Sequence, residues 1–429
     1  MTRLGRIAAA MIAAVALLGV APAIAENDRV VVVTSYPEVM TTRFEQAFEQ
    51  AHPDIDLQIV WKRAGDALAA LSQPDQDGID VYWTPAAENF LALRAQQAFR
   101  PLTIDRAVLP GRIDRQALSD PQGYFEAFEV AGYGLAVNPD VIAARGLALP
   151  KRWEDLAAPA YAGLVVLPVP ARVGFAPALY DIILQGAGWD AGWRLLSRIA
   201  ANGRLDTGLG MIDAVATGDA AVAMAIDFPI RAAIAKGRRM TLVYPQPTAF
   251  LPAHVAVTAR APHAKAAQTF VDFLLSAPGQ RLLTHPDIQR YPVRPDAYAG
   301  GPPTAVNPFE LPPGTTVAYD GDLGARRREL ISALFDAAIT RPHGGLPALW
   351  RSIGQAEDAL ARSPDGHRQS LLDEAKALAG FVPVASAEAV DPAALDQVRQ
   401  DRARPAWDQR IDDAHQRARA LLRQIIPEK

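Results

Sequence analysis

The 429-residue sequence contains no cysteine. Disulfide scaffolds, thiol nucleophiles, thiolate metal centres and lipid attachment through an N-terminal cysteine are therefore excluded together. Neither sign of charge dominates: 43 Lys+Arg stand against 47 Asp+Glu, a formal net charge of −4, which argues against a polyanion-binding protein and predicts no nucleic-acid partner. The sequence has no Gly-x-Ser-x-Gly elbow, no His-Glu-x-x-His, no Gly-x-x-x-x-Gly-Lys phosphate loop and no dinucleotide fingerprint. Its seven histidines, His52, His254, His263, His285, His343, His367 and His415, lack metal-ligand spacing. No enzyme activity, cofactor or metal is predicted. Internal repeats of solenoid period and sustained heptads are also missing.

What is present is a globular composition: half the residues are hydrophobic and 21% charged. The length implies two or more lobes, and the 35 prolines imply many short connections. Arg3 and Arg6, the apolar run Ile7 to Val20 and Ala23-Ile24-Ala25 form a charged start, an apolar stretch and a small-x-small cleavage site. Residues 1–25 are predicted to be a signal peptide removed before Glu26, sending the chain to the periplasm. An uncleaved anchor is the rival, because the run is close to the shortest that spans a bilayer. Loss of Arg3 and Arg6 would take the formal charge from −4 to −6.

Along the remaining chain, Arg29 to Thr34, Leu57 to Trp61 and Ile79 to Trp83 read as strands, each followed by a loop and a helical pattern. That alternation predicts a parallel sheet wrapped by helices. Phe128 to Val137 is an apolar strand with two glycines, closed by Asn138-Pro139, and could pass between lobes. A second series of strands and helices follows to Ile226, and Ala253 to Thr258 forms a return strand. The predicted fold class is α/β, with lobe 1 at 26–133, lobe 2 at 134–252, a return to lobe 1 at 253–306 and a helical extension at 307–429. The extension is expected to pack on the first lobe.

The run Gly132-Tyr133-Gly134-Leu135-Ala136-Val137-Asn138, the stretch Pro150-Lys151-Arg152-Trp153-Glu154-Asp155-Leu156, Tyr161-Ala162-Gly163, the segment Ala264 to Gln280 and Tyr291-Pro292-Val293-Arg294-Pro295 occur in this order. Together they resemble the extracellular solute-binding proteins of ABC importers, in the ferric-ion-binding-like group, over about residues 26 to 300. Gln185 to Trp193 and the tail from Arg326 through Leu360 are similar to the members that regulate phosphoglycerate transport. The resemblance implies a periplasmic binding protein-like fold and capture of a small solute between two closing lobes. Its implied partners are a small-molecule ligand and either an inner-membrane ABC permease or a membrane sensor kinase, with the chain acting as a monomer. Two departures bear on the ligand. Ala225-Ile226-Asp227-Phe228-Pro229 stands where iron-binding members carry a tyrosine pair. Pro168 to Phe175 offers one guanidinium and no hydroxyl where the phosphoglycerate-type members are hydroxyl-rich.

In an open α/β sheet, ligands lie beyond the carboxyl ends of the strands. That rule selects Ser35 and Tyr36 after the first strand, Trp61, Arg63 and Asp66 after the second, and Trp83 and Thr84 after the third. In the second lobe it selects Arg172, Thr207, Asp227 and Phe228. The aromatics could stack on a sugar, polyol or organic cation, or be core. Arg63, which the resemblance places at the cleft, could pair with an acidic group. Asp227 could bind a ligand or cap the helix beginning near Pro229. The expected ligand is a sugar, polyol or small organic acid, with a phosphorylated compound as the alternative implied by the resemblance. A secreted hydrolase or lyase using carboxylates such as Asp66 and Asp227 is the rival of another class, and it lacks a recognisable nucleophile or metal set.

Overall fold

A computed structural model describes residues 28–113, 116–208, 210–299, 306–391, 393 and 404–426. The predicted signal peptide and part of the last helical pattern, 394–403, lie outside the described residues. The chain opens with β1 (Asp28–Thr34), α1 (Glu38–Ala51), β2 (Ile55–Trp61), α2 (Ala64–Leu71), β3 (Val81–Thr84) and α3 (Ala87–Ala95). Val30, Val32 and Val33 are all buried, as expected of a strand covered on both faces, and β1 pairs in parallel with both β2 and β3. A short hairpin, β4 (Arg112–Ile113) and β5 (Gln116–Ala117), precedes β6 (Glu126–Val137), whose twelve residues are all buried.

Asn138 ends β6 and accepts backbone N–H bonds from Asp140 and Val141, starting α4 (Pro139–Ala144) with proline in its first turn. Then come β7 (Val165–Pro168), α5 (Ala176–Ala187), α6 (Trp189–Ala201), β8 (Gly203–Asp206), α7 (Met211–Thr217), β9 (Val222–Ile226), α8 (Asp227–Ala235) and β10 (Thr241–Val243). β11 (Phe250–Val257), α9 (Ala264–Leu275), α10 (Ala277–Leu282) and β12 (Tyr291–Pro292) lead back to the first half. The tail consists of α11 (Gly321–Phe335), α12 (Leu346–Arg362), α13 (Gly366–Ala379) and α14 (Arg404–Ile425).

The strands form one curled sheet in the order β2-β1-β3-β11-β6-β9-β7-β8, with β10 and β12 also pairing with β6. β6 belongs to both halves. Its residues 126–132 pair with β11, and Tyr133 to Val137 pair with β9. Gly132 sits where the partner changes, and a Cβ there would come within 2.5 Å of the Phe250 ring and 2.6 Å of the Tyr244 ring. The absent side chain is what lets the strands cross so closely.

Trp83, Phe44, Phe128 and Phe270 pack edge to face in the first half, with Trp83 fully buried among them. The second core combines β7, β9, α5 and α6 with the tail helices. The tail therefore lies on the second half, which corrects the expectation that it would pack on the first lobe. Trp189 and Trp193 of α6 form an apolar face that needs cover. Tyr180 stacks on Phe335 at 4.5 Å, the Trp189 indole donates to the Val384 carbonyl, and the Trp350 indole donates to Ser197. An apolar stripe shows that a helix is buried without showing against what. Among the described residues no helix is long and apolar enough to cross a membrane.

Candidate functional site

A cavity of about 720 Å³ opens where β6 and β11 cross. Ser35 and the segment Pro85 to Glu88 reach it because they follow the carboxyl ends of β1 and β3. Phe125, Glu129 and His254 add the floor on the first side, and Tyr133, Phe175, Ile226 and Phe228 form the facing wall. Another wall comes from the tail, through Tyr319, Gly321, Asp322, Gly324, Ala325 and Arg328.

One chain of contacts runs across the floor. Tyr36 donates its hydroxyl to Glu129 at 2.8 Å, Glu129 forms a buried ion pair with Arg290, and the Arg290 guanidinium lies 3.8 Å over the Phe228 ring. Burial raises the Glu129 carboxyl above its usual range and the Arg290 charge pulls it back. Its Oε2 has no hydrogen-bond partner among the described residues. Ser35 and Thr84 share a hydrogen bond of 2.6 Å beside this chain. His254 is 6% exposed between the Phe90 and Phe125 rings, and burial lowers its pKa to about 3, so the ring is neutral.

The tail's wall is held rigidly. Arg327 donates to Asp181 of α5 at 2.6 Å, Gln185 and Asp320 exchange bonds of 2.7 and 3.1 Å, and the Asp320 side chain caps α11 by accepting from Leu323 N–H. A Cβ on Gly324 would overlap the Tyr319 hydroxyl, so glycine permits this approach. From that base Arg328 donates to the Gly174 carbonyl and pairs with Glu88 of α3 at 3.6 Å.

Of the residues selected from sequence, Ser35 and Phe228 line the cavity. Tyr36 and Thr84 stand one bond behind it. Trp83 is core, the second of the two roles open to it. Trp61 is 58% exposed at the end of β2, the edge strand of the sheet among the described residues. Arg63, Asp66, Arg172 and Thr207 are exposed and outside the lining. Asp227 is buried behind the cavity; its Oδ2 accepts from Gly132 N–H at 2.6 Å and from the Tyr244 hydroxyl at 2.9 Å. It braces the crossing strand rather than capping α8, and burial pushes its pKa up to about 6.

The sequence reading missed Glu88, Glu129, Arg290, Asp322 and Arg328. Arg290 directly precedes the Tyr291-Pro292 motif, and Arg328 ends an arginine run, so each lay beside a noted signal that carried no hint of the cleft. Among the described residues no group of three or more His, Asp or Glu is placed to hold a metal ion.

Residues 82–310 match the family described as bacterial extracellular solute-binding protein. The phosphoglycerate transport regulatory protein PgtC of Salmonella typhimurium (strain LT2) is 26% identical over 377 residues, covering 87% of this chain and 90% of that protein. The periplasmic binding protein AfuA from Actinobacillus pleuropneumoniae, solved with fructose-6-phosphate, superposes with a TM-score of 0.60 at 19% identity, covering 72% of this chain and 98% of that one. Iron-bound HitA from Pseudomonas aeruginosa gives 0.58 at 20% identity, covering 71% and 98%. At these identities the solved structures establish a shared periplasmic binding protein-like fold.

Proposed function

The chain belongs to the family of bacterial extracellular solute-binding proteins, and from that premise we propose that the cavity is its solute site and that the two halves close over the ligand. The protein is the substrate-binding component of an ABC importer, capturing a solute outside the inner membrane and delivering it to a permease. One observation carries the reading of the cavity. It lies at the crossing of β6 and β11 with walls from both halves, so a solute touching both favours the closed state over the open one. No covalent step is required. The mature protein starts after residue 25 and works as a monomer in the periplasm.

The solute is a small polar organic molecule. The names of PgtC and of the AfuA structure bring in phosphoglycerate and fructose-6-phosphate. Iron, held in the HitA structure, fits less well: Ala225-Ile226-Asp227-Phe228-Pro229, where the resemblance to iron-binding members calls for a tyrosine pair, offers no phenol. A second reading presents the closed form to a membrane sensor kinase. The similarity to the regulatory protein PgtC over 87% of this chain favours it. Flanking genes for a permease or for a kinase separate the two.

A thermal-shift screen of a metabolite library tests the solute site. A ligand at 100 times its Kd stabilises the fold by about 2.7 kcal/mol, and a mutation in the cavity should remove that response. A stabilising compound whose effect survives Ser35→Trp and Ala325→Trp would overturn the assignment.

A further inference from the structure

We propose that the solute taken by this cleft carries O–H or N–H donors and no net negative charge, unlike the phosphorylated compounds named for its relatives. The inference rests on the cavity being the solute site. Charge is the first support. The ionisable carboxylates and guanidiniums of the lining are Glu88, Asp120, Glu129 and Asp322 against Arg290 and Arg328. Both guanidiniums already hold carboxylates, Arg290 with Glu129 and Arg328 with Glu88. A phosphate entering here would find no uncommitted cation and would add repulsion from Asp322.

Helix ends are the second support. Phosphate commonly binds at helix N-termini because unpaired N–H groups and the dipole favour negative charge. Here α2, α3, α8 and α11 begin around the cavity, and each carries its own acid in the first turn: Asp66, Glu88, Asp227 and Asp322. Those positive ends are answered from within the chain. α5 lacks such an acid, but Phe175 is its N-cap residue and Pro177 removes one of its donors.

Unpartnered atoms are the third. Glu129 is 1% exposed and lines the cavity, and its Oε2 has no hydrogen bond among the described residues. Among the described residues Nδ1 of the neutral His254, also at the cavity wall, has none either. A buried polar atom left without a partner is costly, because it has given up water and gained nothing in return. A hydroxyl or amine on the ligand satisfies the Glu129 oxygen, and a hydroxyl satisfies Nδ1 in either tautomer, whereas phosphate oxygens, acceptors at neutral pH, bring no donor to the carboxylate. Phe125 and Phe175 add faces suited to C–H groups or a cation.

The test uses the full mature chain. Thermal shift against a metabolite library is followed by calorimetric titration of matched pairs: fructose with fructose 6-phosphate, glycerol with glycerol 3-phosphate, and each hit with its phosphorylated form, beside inorganic phosphate alone. Stabilising compounds should be neutral or cationic, a phosphate group should weaken binding at least tenfold, and inorganic phosphate should not saturate the protein. Asp322→Asn, at an exposed position, should narrow the discrimination several-fold, and Glu129→Gln should weaken the best hit tenfold or more. If anionic compounds are the hits, or the phosphorylated member of a pair binds more tightly, this inference falls and the solute site stands. If no compound in the library binds, both fall.

Discussion

Arg328 of α11 and Glu88 of α3 meet 3.6 Å apart across the cleft, joining the tail-bearing half of the molecule to the first half. Arg328 cannot follow α3, because its neighbour Arg327 is tied to Asp181 within the second core. Opening the cleft therefore requires this pair to part.

Glu88→Gln or Arg328→Gln should shift the ligand-free protein toward the open state. The partners are about one-third exposed, so the effect is at the scale of surface pairs, about 0.2–1 kcal/mol, or up to roughly fivefold in population. Spin labels on α2 and α13 would read it as a longer interlobe distance, and Glu88→Arg combined with Arg328→Glu should restore the original distribution. Unchanged distances in both single variants would remove the pair as a latch.

Arg327→Met should destabilise the fold by about 3–5 kcal/mol, because it leaves the Asp181 carboxylate buried and unpaired. Asp181→Leu together with Arg327→Met should recover most of that loss. Denaturant midpoints measure both, and a single variant as stable as the parent contradicts the role assigned to this pair.

Gly380 follows α13 where a Cβ would overlap the Arg194 backbone of α6. Gly380→Ala should loosen the tail at a cost of about 1–3 kcal/mol. Hydrogen exchange should quicken in α12 and α13 and stay unchanged in β1 to β3. Uniform quickening would mean that the tail is not a separate layer on the second half.

Asp227 and His254 should give opposite pH dependences. The Asp227 pKa is raised to about 6, so the folded state binds the extra proton; its contribution is full below about pH 4 and is lost as pH rises through 6, on the order of 3 kcal/mol. The His254 pKa is lowered to about 3, so its contribution is full above about pH 6.5 and is lost as pH falls toward 3. Unfolding curves from pH 3 to 8 should show that Asp227→Asn abolishes the first loss and His254→Phe the second. Variants that track the parent across the whole range would count against both assignments.

Sequence alone revealed the alternating strands and helices, the crossing strand with its glycines, and the Asn138-Pro139 helix start, because each is a property of neighbouring residues on one backbone. The strand-end rule also selected Ser35, which lines the cavity. It could not separate Trp61 from Trp83, since both end β-strands. One belongs to an edge strand and is bare, while the other belongs to an interior strand and is sealed by Phe44, Phe128 and Phe270. Asp227 took its role from Gly132, ninety-five positions earlier.

The chain's pattern thus determined its elements and the presence of a helical tail. Only the tertiary structure decided that the tail covers the second half and sends Arg328 into the cleft, and that Arg290 reaches Glu129 from 161 positions away. Periodicity marks which face of an element avoids water. The partner for that face is chosen by the packing of all such faces at once, and that choice has no local signature in sequence.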